Sequence, residues 1–174
     1  MAMFLLNEAV FFFMLVVAFV YFRGSSLPVA AQNLSLTTAT IYTACLLASS
    51  FTMWRATASA VSEHARSLRS WLGGTVVLGA VFLYGQAEEF SRLFHKNVNF
   101  SQGSFGTTFF TLTGLHGLHV LLGILLLGAA LCLPAAGYSS GRQAVAVRTL
   151  ALYWYFVDLV WIGIFSVVYL WTFL

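Results

Sequence analysis

The chain has 174 residues, of which 60% are hydrophobic, 17% aromatic and only 7% charged, with a formal net charge of +3. A soluble domain carries roughly 25% charged residues, so this composition and a mean hydropathy of +0.90 select a polytopic membrane protein and exclude a soluble enzyme. The small positive charge comes with no Lys- or Arg-rich tract, which leaves no basis for a nucleic-acid partner.

Five apolar segments read as spanning helices, because isolated strands would leave their backbone hydrogen-bonding groups unsatisfied in lipid. The first, Ala2 to Phe22, carries Glu8 within its apolar run. It lacks a basic leader and a clear cleavage signal, so it is expected to stay as a spanning helix. A solvent-side linker from Arg23 to Asn33 leads to the second segment, Leu34 to Trp54. A connection from Arg55 to Ser70 precedes the third, Trp71 to Phe90, whose outward end carries the adjacent acids Glu88 and Glu89. Neighbouring residues on a helix point about 100 degrees apart, so one carboxylate is expected to face protein and the other the interface. This geometry disfavours a catalytic dyad.

The fourth segment, Phe105 to Leu133, contains TGLHGLHVLLG. Gly114, Gly117 and Gly123 allow close helix approach, and His116 and His119, three positions apart, share a broad face. Two imidazoles alone do not complete a metal site, and no nearby Glu, Cys or third His supplies the rest; helix packing and polar contacts are the expected roles. Pro134 and Gly137 are expected to end this helix and open a connection from Ala135 to Val147. The fifth segment, Leu150 to Leu174, places Asp158 among apolar residues, where a carboxyl needs a hydrogen-bond anchor; His116 or His119 is a candidate partner. Cys45 and Cys132 read as buried small side chains rather than a disulfide pair.

With the N-terminus inside, the second and fourth connections carry Arg55, Arg66, Arg69, Arg142 and Arg148, against Arg23, Arg92 and Lys96 on the opposite side. This five-to-three bias predicts an inside N-terminus and an outside C-terminus. Trp54, Trp71 and Trp171 fall near segment ends, where indoles favour the membrane interface. The expected fold is thus all-α, a single five-helix membrane bundle over residues 1–174.

Four segments in order carry a resemblance: NEAVFF at Asn7 to Phe12, QAEEF at Gln86 to Phe90, SFGTTFFTLTGLHGLHVLLG at Ser104 to Gly123, and YWYFVDLVW at Tyr153 to Trp161. Together they resemble subunit III of the haem-copper terminal oxidases, in its five-helix form lacking two extra N-terminal helices. The resemblance implies an accessory integral subunit of a bacterial inner-membrane respiratory oxidase, packed against a catalytic subunit that holds the haem and copper. No catalytic residue, cofactor or metal site is expected in this chain, and bound phospholipid is. Glu8 matches the family's membrane carboxylate, Glu89 the acid of its Q-x-x-E-Y-like segment, His116 and His119 its HGxH pair, and Asp158 the acid of the last helix. These five are the candidate functional or lipid-contact positions, in regions that in the family support proton entry and protect the enzyme during turnover. Departures from the pattern are Tyr155 in place of His, Arg148 in place of Glu, Phe90 in place of Tyr and Asn7 in place of Ser. The same shape also fits an accessory subunit of a nitric oxide reductase core, and a free-standing transporter is the reading from a different class.

Overall fold

The computed structural model describes residues 2–22, 35–61, 65–95, 104–132 and 140–171. They form five helices: α1 (Ala2–Phe22), α2 (Leu36–Val61), α3 (Ala65–His95), α4 (Ser104–Cys132) and α5 (Ser140–Phe165), the last continuing into a π-helical turn at Ser166–Leu170. Each contains a stretch long and apolar enough to cross a membrane. Helices α2 to α5 form a ring in which α2 packs on α3 and α5, and α4 packs on the same two. Helix α1 docks outside the ring, mainly on α4 and to a smaller extent on α5.

Four expected helix ends are corrected. Much of the connection placed at Arg55 to Ser70 is helical, since α2 runs to Val61 and α3 begins at Ala65. Helix α3 also continues past Phe90 to His95, and α5 starts at Ser140, inside the connection placed at Ala135 to Val147. Hydropathy marks the hydrocarbon slab, about 30 Å thick, whereas a helix stops only where its backbone bonding stops. At 31 residues α3 is about 46 Å long, so its ends extend into the polar layers. There Ser and Thr hydroxyls bond back to their own helix, with Thr57 donating to the Trp54 carbonyl at 2.7 Å, Ser59 to Arg55 at 3.0 Å and Ser70 to Arg66 at 3.1 Å. The Arg23 to Asn33 linker and the Pro134 and Gly137 stop lie outside the described residues. Cys45 is half-buried, but Cys132 is exposed at the end of α4 rather than buried, and both are free thiols.

Two indoles of α5, two turns apart, organise the ring. The Trp154 side chain is buried and its Nε1–H donates to Ser49 Oγ of α2 at 3.0 Å. Its ring lies on Gly79 of α3 and Gly123 of α4, where an added Cβ would stand 2.8 and 2.9 Å from ring carbons. One side chain thereby touches all three other ring helices, and glycine is required at two of the contacts. Trp161 repeats the arrangement, donating to Thr43 Oγ1 of α2 at 3.0 Å, meeting Phe82 of α3 edge-on at 4.8 Å and stacking on His116 of α4 at 4.8 Å. In lipid, where apolar side chains gain little by leaving the solvent, such close packing and interhelical hydrogen bonding hold helices together. Trp171 is exposed at the end of the last helix and Trp54 is exposed two turns before the end of α2, while half-buried Trp71 carries the Arg55 guanidinium 5.4 Å from its ring centroid.

Candidate functional site

The polar residues singled out in the sequence fall into three places rather than one. The first lies between α1 and α4. Helix α1 turns Leu5, Glu8, Phe12, Val16 and Phe19 inward at three- and four-residue spacing, which places Glu8 on its docking stripe. Glu8 Oε2 stands 3.2 Å from His119 Nε2, while His119 Nδ1 donates to the Leu115 carbonyl at 2.8 Å. The Phe12 ring covers the His119 imidazole edge-on at 5.1 Å. Tyr153 adds a hydroxyl that donates to the backbone carbonyl of His119 at 3.0 Å. The Glu8–His119 contact remains partly open, at 17% and 18% side-chain exposure, beside a groove of about 500 Å³ lined by Asn7, Glu8, Val10, Phe11, Met14 and His119.

The second place is the interface of α2 and α5. Asp158 is buried and one of its oxygens accepts the Ser50 hydroxyl; the other has no hydrogen-bond partner among the described residues. The expected imidazole partnership is therefore corrected: the anchor is Ser50, from a helix on which no candidate was placed. Two adjacent serines, Ser49 and Ser50, in the middle of an apolar segment were the available signal, since one meets Trp154 and the other Asp158.

The third place is the far end of α3. Glu89 accepts the Tyr169 hydroxyl at 2.5 Å, whereas Glu88 accepts that of Tyr42 at 3.2 Å and stands 4.0 Å from Arg92. The two carboxylates diverge as helical geometry requires, Glu89 toward the bundle and Glu88 toward the exposed edge. Tyr169 belongs to the π-helical turn, where Trp171 N–H reaches the Ser166 carbonyl. That departure from the 3.6-residue period hid the contact from sequence reading. One helical turn earlier on α3, Gln86 Nε2 donates to the Thr113 carbonyl at 2.5 Å.

His116 and His119 have different surroundings although they share α4. His119 takes part in the pair with Glu8, but His116 is wholly buried between Trp161, Phe82 and Phe12, with neither nitrogen hydrogen-bonded among the described residues. Of the three glycines read as close-contact points, Gly123 carries Trp154 and Gly117 carries the Gln86 amide, whose Oε1 would lie 2.7 Å from an added Cβ. Gly114 is an ordinary contact, with Phe90 no nearer than 3.8 Å. Phe90 itself packs against Phe110 at 4.9 Å and Phe109 at 6.2 Å. Among the described residues, no group of three or more His, Cys, Asp or Glu side chains is placed to hold a metal ion.

A ring of four spanning helices with a fifth docked on its flank, tied by isolated carboxyl, imidazole and indole contacts, defines a polytopic integral-membrane protein. The sequence matches the family described as cytochrome c oxidase subunit III over residues 1–173. It is 36% identical over 142 residues to a probable cytochrome c oxidase subunit 3 of Nocardia farcinica, covering 82% of this chain and 70% of that one. A cytochrome c oxidase subunit 3 of Synechocystis is 34% identical over 172 residues, covering 97% and 72%. A cytochrome bo(3) ubiquinol oxidase subunit 3 of Pseudomonas aeruginosa is 40% identical over 133 residues, covering 75% and 62%. The chain belongs to the cytochrome c oxidase subunit III family, and is an accessory membrane subunit of the haem-copper oxidase type.

Proposed function

We propose that this chain stabilises the catalytic subunit of a respiratory oxidase in a bacterial cytoplasmic membrane and sustains its turnover, with oxygen reduction and its coupled proton uptake carried out next door. The observation that carries this reading is the match to subunit III along residues 1–173. Relatives of both cytochrome c and ubiquinol oxidases support a role in the shared membrane core rather than at the electron donor. The whole chain acts as one domain, with its N-terminus inside and its C-terminus outside, as the arginine bias favours.

In this reading Glu8, Glu89, His116, His119 and Asp158 serve the complex by holding helices in register. The open groove beside Glu8 and His119 takes a phospholipid, whose head group meets the polar floor and whose chains lie along Val10, Phe11 and Met14. The test is removal of this chain from the complex. Initial oxygen uptake should remain close to that of the intact enzyme, while activity should decay faster over successive turnovers. Identical decay curves with and without the chain would contradict the proposal.

A further inference from the structure

Arg55 falls inside the Leu36–Ala60 stretch of α2 that is long and apolar enough to cross a membrane. A cation in such a stretch is paired with an anion or reaches the head-group layer. Among the described residues Arg55 forms no ion pair. Helix α2 carries neither Asp nor Glu, and the first acid along α3 is Glu88, near its far end. The Arg55 guanidinium lies instead over the Trp71 ring of α3, 5.4 Å from its centroid, within the range of a cation–π contact. Phe51 meets Trp71 edge-on at 6.4 Å and Trp54 at 5.8 Å. Phe51, Trp54 and Arg55 are all exposed, so the guanidinium rests on an open aromatic shelf.

The register of α2 on α3 fixes what stands around that shelf. The Thr52 and Thr75 hydroxyls are 2.8 Å apart and those of Ser59 and Ser67 3.0 Å apart, which sets Arg55 level with Trp71. Arg66 and Arg69, exposed on the first turns of α3, therefore lie within about 8 Å of that level along the axis, at 1.5 Å per residue. From Arg55 to Arg69 the sequence holds three Arg against one Glu. An arginine laid on an indole keeps its N–H edge free, and that planar fork matches phosphate oxygens bidentately. We propose that this face of the α2–α3 pair binds an anionic phospholipid. Arg55 holds its phosphate, Arg66 and Arg69 add positive charge, and Phe51, Trp54 and Trp71 carry its glycerol and upper chains. The site is distinct from the groove between α1 and α4, whose lining holds the Glu8 carboxylate and no Lys or Arg, and it is independent of which respiratory enzyme the chain serves.

The test is native mass spectrometry of the intact, delipidated complex titrated with phosphatidylglycerol or with phosphatidylcholine. Wild type should retain phosphatidylglycerol more tightly than phosphatidylcholine. Arg55→Gln should weaken phosphatidylglycerol retention about fivefold, the worth of one cation at an anionic surface, and leave phosphatidylcholine retention and subunit content unchanged. Arg148→Gln, which removes an exposed arginine of α5, should leave both lipids as in wild type. Equal retention of the two lipids by wild type, or unchanged phosphatidylglycerol retention in Arg55→Gln, overturns the proposal. An equal loss in Arg55→Gln and Arg148→Gln marks a diffuse charge effect and overturns the site. An electron cryo-microscopy map of the complex with a carboxylate of a neighbouring subunit seated on Arg55 overturns it as well, because the occupant is then protein.

Discussion

His119 reaches Glu8 across the α1–α4 interface at 3.2 Å with its Nε2, and its Nδ1–H is already committed to the Leu115 carbonyl. The ring is therefore fixed in orientation, and Glu8 is the side chain that completes it. Helix α1 exposes large side chains such as Met3, Leu6, Phe13 and Tyr21 on its outer faces.

Glu8→Gln should preserve this tie, because an amide N–H can donate to Nε2, whereas Glu8→Ala and His119→Ala should each release it. Interhelical side-chain hydrogen bonds in membranes couple by about 0.6 kcal/mol on average and up to about 1.7. A double-mutant cycle on Glu8 and His119, read by reversible unfolding in mixed micelles, should fall in that range. Additive single variants, or a glutamine variant as unstable as the alanine one, would remove the pair from the account.

Asp158 and Ser50 should show an asymmetry. Asp158→Asn keeps a carbonyl oxygen for the Ser50 hydroxyl and should assemble nearly as wild type. Ser50→Ala removes the one donor that Asp158 has among the described residues, and unsatisfied buried groups cost about 1–3 kcal/mol. It should destabilise at least as much as Asp158→Leu, since Leu takes away the carboxyl itself and leaves only a hydroxyl that can turn to its own helix. Equal melting temperatures for Ser50→Ala, Asp158→Leu and wild type would show that the contact anchors nothing.

Much of this was legible before any coordinates. Five runs of apolar residues fixed five helices, because lipid leaves the backbone no alternative, and the 100-degree step between neighbours foretold the divergence of Glu88 and Glu89. The partners were harder to read. Ser50 and Tyr42 sit on a helix where the Ser49–Ser50 pair was the one signal within the apolar run, and Tyr169 meets Glu89 through a π-helical turn that no 3.6-residue pattern contains. Helix ends were misplaced where α2, α3 and α5 leave the hydrocarbon without leaving the helical conformation. The pairing of His119 with Glu8 joins residues 111 apart in sequence, and that juxtaposition comes from the docking of α1 rather than from either local motif.

The glycines give a steric test. Gly79→Ala and Gly123→Ala would each press a methyl group into the Trp154 ring, and Gly85→Ala would collide with the Tyr42 ring. Overpacking of this kind costs about 1–3 kcal/mol. Gly128→Ala and Gly163→Ala meet nothing within 4 Å and should be neutral or slightly stabilising through better helix propensity. Thermal melts of the purified complex should divide the five variants into these two groups; a uniform response would contradict the indole-centred packing.

Topology is tested by labelling single cysteines in intact cells. A thiol replacing Arg69 should be protected from a membrane-impermeant reagent, and one replacing Arg92 should react. The opposite pattern would invert the proposed orientation.

The most direct measurement is purification of the tagged chain in a mild, lipid-preserving detergent, with every co-purifying subunit identified by mass spectrometry and the same preparation assayed for oxygen and nitric oxide turnover. The account predicts a haem-copper catalytic subunit and cyanide-sensitive oxygen reduction. Recovery with a nitric oxide reductase core that consumes nitric oxide would contradict it, and would make the shared helix packing a property of the family rather than a marker of oxygen chemistry.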